Sequence, residues 1–151
     1  MNRRDMLTGA FKVACATPPI TAALVVERAA AAGAEFGKAV YHLSDLDKVD
    51  PVFGNIRNHY NGMGGPDHVT IALVVLGPAL KAFHLAEAAP DTAKKTEELK
   101  NQGLQLNACT NSMRAQNVTL KELLPGFIVA ERGGVVRLAE LQSQGYAYLR
   151  P

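Results

Sequence analysis

From Lys38 onward, apolar and polar positions alternate between two periods along the chain. Ala39–Leu43 is a short β-rich run, and Asp50–Met63 carries Val52, Phe53, Ile56 and Tyr60 at helical spacing. The turn Met63–Asp67, with its Gly64-Gly65-Pro66 core, stops that helix. Val69–Leu76 is apolar on both faces except at Thr70, as a central parallel strand covered by helices on both sides must be. Gly77-Pro78 ends it. Ala79–Ala89 then reads as a helix with Leu80, Phe83 and His84 on one face, and Asp91–Gln102, between Pro90 and Gly103, as a mostly polar outer helix. Leu104–Ala108 is a third strand that runs into Cys109, followed by short helical pieces at Thr110–Gln116 and Leu120–Leu124. Phe127–Ala130, Gly134–Ser143 and Tyr146–Leu149 complete the series as strand, helix and strand. Five strands with helices between them predict a three-layer α/β/α domain around a mainly parallel five-stranded sheet.

The first 34 residues follow another rule. Arg3 and Arg4 precede the 14-residue uncharged run Val13–Val26 and the small-residue stretch Ala29–Ala34, the order of an export signal. The arginine pair with Leu7 resembles a twin-arginine signal, with Asn2, Met6 and Thr8 departing from the usual residues. The run is shorter than a membrane span needs, and Pro18-Pro19 interrupts it, so cleavage near Ala31–Ala34 and a periplasmic domain over residues 35–151 are expected, with no stable membrane insertion. The charge supports that division. Of 16 Lys and Arg, four lie before residue 35, and of 14 Asp and Glu, two, which leaves 12 of each sign on the folded part. No basic excess remains there for nucleic acid. The 151 residues, 48% hydrophobic, have only Cys15 and Cys109, too few for a disulfide framework.

In open parallel sheets, sites form outside the carboxyl ends of the strands. That places Ser44 and Asp45, Gly77-Pro78, Cys109-Thr110-Asn111, and Glu131–Gly134 in view. Cys109 is the strongest nucleophile among them, and Thr110-Asn111-Ser112 behind it favours a helix start, whose free N–H groups stabilise a thiolate. A lone cysteine is also often a packed core residue, and its position alone leaves both readings open. Gly133-Gly134 before a helix fits an anion or a tight turn, and Arg114, further along the helix that Cys109 leads, fits a bound anion or simple solvation. The four histidines lack metal-ligand spacing, and His42, at the end of the first strand, is the one of interest. Neither metal nor cofactor is called for.

His42–Asp45, Gly62–Asp67, Val74–Phe83, Cys109–Met113 and Leu124–Val136 together resemble the DsrE/DsrF-like family, over nearly all of residues 38–151. The resemblance implies the same α/β/α domain, homo-oligomers of three or six subunits, and a single cysteine that carries sulfur as a persulfide between donor and acceptor proteins. Cys109 matches that cysteine, with Asn111 and Arg114 beside it and Ser44, Asp45, Gly133 and Gly134 as binding positions. The other reading is a non-catalytic oligomeric binding or scaffold protein of the same fold.

Overall fold

The computed structural model describes residues 37–151; the expected signal and Cys15 lie outside the described residues. Five strands, β1 (Lys38–Leu43), β2 (Thr70–Val75), β3 (Gln105–Cys109), β4 (Phe127–Ala130) and β5 (Ala147–Leu149), form one sheet in the order β4-β3-β2-β1-β5. Every pairing is parallel. Helices α1 (Val49–Gly62), α2 (Pro90–Asn101), α3 (Thr110–Ala115) and α4 (Gly134–Ser143) make the crossovers.

The strand order decides which face each helix covers. From β1 to β4 the chain steps always in one direction across the sheet, so right-handed crossovers keep α1, α2 and α3 on one side. The return from β4 to β5 runs the other way, and the same handedness puts α4 on the opposite side. Alternation then sorts the strand residues. Tyr41, Leu43, Ile71, Leu73, Val75, Leu106 and Phe127 pack under the three-helix side, while Val40, Ala72 and Val74 meet Leu138 and Leu141 of α4.

One expected helix is corrected. Over Ala79–Ala89 the chain forms a 3-10 segment, Gly77–Phe83, and then leaves helical structure. The spacing of Leu80 and Phe83 fits either helix type, and tertiary bonds decide: Leu85 N–H donates to the Glu122 carbonyl at 2.7 Å and Leu124 N–H to the Phe83 carbonyl at 2.9 Å. Leu120–Glu122, likewise, is a single 3-10 turn, closed by a capping box between Thr119 and Glu122.

Candidate functional site

β3 passes into α3 without a loop, so Cys109 is both the last strand residue and the N-cap of the helix, with φ −69° and ψ 121°. Alternation points its side chain to the α4 face, in step with Asn107, whose Oδ1 accepts from Arg137 Nε of α4 at 3.0 Å. β3 and β4 are neighbours, yet α3 leaves towards one face and α4 towards the other. Cys109 therefore sits where the crossovers part, the crevice in which open α/β sheets bind ligands.

Two stretches of chain meet at the sulfur, and a third holds one of them. Gly134 N–H, the first of α4, donates to Cys109 Sγ at 3.1 Å. The Asn111 and Ser112 N–H groups and the Ser112 hydroxyl, at the start of α3, also favour its charged form, without a capping hydrogen bond from the helix to the Cys109 side chain. Gly77 N–H, after β2, donates to Ser112 Oγ at 2.7 Å and holds that hydroxyl in place. Gln116 Nε2 holds the Gly77 carbonyl at 2.8 Å, so both polar groups of that peptide residue are fixed from α3. Burial pushes the Cys109 thiol up, and the donor groups of Gly134, Ser112 and Asn111 outweigh it, so the pKa falls below its ordinary value.

The two glycines are needed for this approach. Gly133 has φ +94°, and a Cβ there would lie 2.9 Å from Asn111 Nδ2. A Cβ on Gly134 would lie 2.9 Å from Leu76 Cδ2 and 3.1 Å from Cys109 Cβ.

Of the positions singled out in the sequence, Cys109, Asn111, Gly133 and Gly134 come together here. Arg114 stands exposed on α3, apart from the groups that bond the sulfur. Ser44 and Asp45 lie at the end of β1, where their side chains accept from Arg150 at 3.3 and 3.1 Å. Arg150 holds the Asp45 carboxyl below its usual range. The Gly77 loop joins the two regions, since Ala79 N–H donates to the Ser44 carbonyl at 3.0 Å. His42 faces α4, bonded through Nδ1 to Tyr148 Oη at 2.7 Å, and Leu43 takes the core side. Burial, followed by Arg150, lowers the His42 pKa, against a smaller upward pull from Asp45. Ser112 is the site residue that sequence reasoning passed over: its place three residues after the N-cap was visible, but its donor Gly77 is 35 residues away. Among the described residues no cluster of His, Cys, Asp or Glu could hold a metal.

The fold and the crevice define an α/β domain with one buried free cysteine among the described residues, its sulfur bonded by a backbone N–H. The DsrE/DsrF-like family matches residues 17–151, and the chain belongs to it. Solved structures agree on the fold. A protein of unknown function from Methanobacterium thermoautotrophicum, MTH1491, is 26% identical with a TM-score of 0.67 over 76% of this chain and 99% of its own. The ychN protein of E. coli is 13% identical, with a TM-score of 0.57 over 76% and 99%. A conserved protein of unknown function from Bacteroides thetaiotaomicron, BT1422, is 18% identical, with a TM-score of 0.59 over 80% and 99%. No curated protein matches the chain.

Proposed function

We propose that the protein is an exported sulfur carrier that works through a persulfide on Cys109. The observation that carries this reading is the 3.1 Å hydrogen bond from Gly134 N–H to Cys109 Sγ, with the Asn111 and Ser112 groups adding to the lowered pKa, because donors that stabilise a thiolate also stabilise a terminal persulfide anion. In the loading step the Cys109 thiolate attacks the outer sulfur of a donor R–S–SH. The new S–S bond forms as the old one breaks, and R–S⁻ leaves with the electron pair and takes the proton that the outer sulfur gives up as the Cys109 persulfide ionises. Transfer to an acceptor thiolate is the same step in reverse. Membership of the DsrE/DsrF-like family, which is associated with sulfur relay, supports the reading. The signal-like pattern of residues 1–34 supports a periplasmic setting, and the family resemblance supports homo-oligomers of three or six chains. Asn111 and the two glycines shape the pocket in this reading, and Arg114 attracts an anionic donor.

The burial of Cys109, 5% exposed, favours the second reading, a non-catalytic oligomeric protein in which the thiol is packed. Incubation of the native protein with polysulfide separates the two. A carrier gains mass in single-sulfur steps that a reductant reverses, and Cys109→Ser gains none. A native chain that takes up no sulfur leaves the scaffold.

A further inference from the structure

Two side chains of β3 on the face under α4, Asn107 and Cys109, are polar and stand two residues apart. α4 answers each of them. Gly134 N–H donates to Cys109 Sγ at 3.1 Å, and about one turn further on Arg137 Nε–H donates to Asn107 Oδ1 at 3.0 Å. Helix and strand are thus joined by hydrogen bonds at two points. The buried apolar cluster under α4, by contrast, draws its strand residues, Val40, Ala72 and Val74, from β1 and β2. Apolar packing is non-directional, so it fixes how far the helix stands from the sheet more firmly than its register along β3. The polar bonds supply that register.

Asn107 is placed to hold its end. It is fully buried, at a strand position where an apolar side chain would cost no desolvation. Its Nδ2 donates to the Gln105 carbonyl at 3.2 Å and to the Leu73 carbonyl at 3.4 Å, so the amide is pinned with Oδ1 towards α4. Arg137 is steadied from its own helix, with Glu140 Oε2 3.7 Å from Nη1. The groups that lower the Cys109 pKa are those of Gly134, Ser112 and Asn111, and neither Asn107 nor Arg137 is among them. What this pair does for the sulfur passes through Gly134.

We propose that Asn107 and Arg137 are positioning residues for Cys109: their bond locks α4 against β3 and so keeps Gly134 N–H on the sulfur. The inference rests on the reading of Cys109 as the working group, and not on what that group carries. With the bond gone, Gly134 can withdraw and the thiolate loses a donor, while the sheet and the apolar cluster keep the fold.

Ultraviolet titration of the thiolate in the full-length protein tests it, with Cys109→Ser as the blank for Cys15 and the tyrosines. This readout needs no reagent to reach the buried sulfur, and a merely structural role would not move it. Asn107→Leu keeps side-chain volume and leaves the Arg137 charge in place; Arg137→Met keeps the stem at a partly exposed site. Each should raise the midpoint by about half a pH unit, which is about three-fold less thiolate below the midpoint. The double variant should raise it no further than the larger single one, because both side chains act through one bond. A low wild-type midpoint that Asn107→Leu leaves in place overturns the proposal alone, even where Arg137→Met moves it, since charge and not position is then at work. A wild-type midpoint at the ordinary thiol value overturns both the proposal and the reading on which it rests.

Discussion

The two faces of the sheet are built differently. Under α1, α2 and α3 lies a continuous apolar layer in which Phe83 meets Phe53 and Phe127 edge to face, with ring centroids 6.2 and 5.3 Å apart. Under α4 only Val40, Ala72, Val74, Leu138 and Leu141 form the buried cluster, and the same face carries Asn107, Cys109 and His42. One side supplies most of the hydrophobic stabilisation; the other spends strand positions on polar groups that a thicker core would exclude. A single reversal of strand order separates the two tasks.

The largest effect should come from the thick side. Phe83→Ala removes a fully buried ring and should cost about 3–5 kcal/mol, while Leu141→Ala on the thin side should cost about 2 kcal/mol, both read from urea unfolding. Equal costs would erase the distinction. Gly134→Ala should come next, at about 1–3 kcal/mol, because the new methyl presses on Leu76 and on Cys109 itself. It should also slow thiol alkylation, since it shifts the N–H that bonds the sulfur.

The pH dependence of Cys109 sharpens the chemical side of the comparison. Its alkylation rate should reach half-maximum below the ordinary thiol value of 9.0, and Ser112→Ala should move that midpoint upward. Folding lowers this pKa, so the thiolate adds stability that is fully present above the unfolded value and is lost as pH falls through the folded one. Unfolding midpoints followed across that window should therefore rise with pH in the wild type, and Cys109→Ser should lack that component. The smallest effect belongs to the β1 end. Arg150→Ala breaks an exposed pair with Asp45 and should leave the unfolding midpoint unchanged in moderate salt.

How much of this the sequence revealed depends on the distance over which each feature is specified. The strands and α1, α2 and α4 are written locally, in alternation, helical spacing and the Gly and Pro stops. The place of Cys109 was legible for the same reason, since a strand end and a helix start meet within a few residues of it. The Ala79–Ala89 helix misled because Leu80, Phe83 and His84 satisfy helical spacing, while the bonds that end the 3-10 segment come from Glu122 and Leu124. Which way His42 and Leu43 face needed strand order, which periodicity does not contain. Arg150 reaches Asp45 across 105 residues, and nothing near either one announces the pair.

The cradle around Cys109 is assembled from distant parts: Gly134 is 25 residues beyond the sulfur it bonds, and Gly77 reaches Ser112 across 35. Until β2, β3 and α4 have docked, the chain holds an ordinary thiol, and an acidic one exists only in the finished domain. The cysteine thus doubles as a clock for folding. Pulsed labelling at a pH between the two titration midpoints would modify native chains ahead of unfolded ones where the thiol is reachable, the reverse of the usual protection by burial.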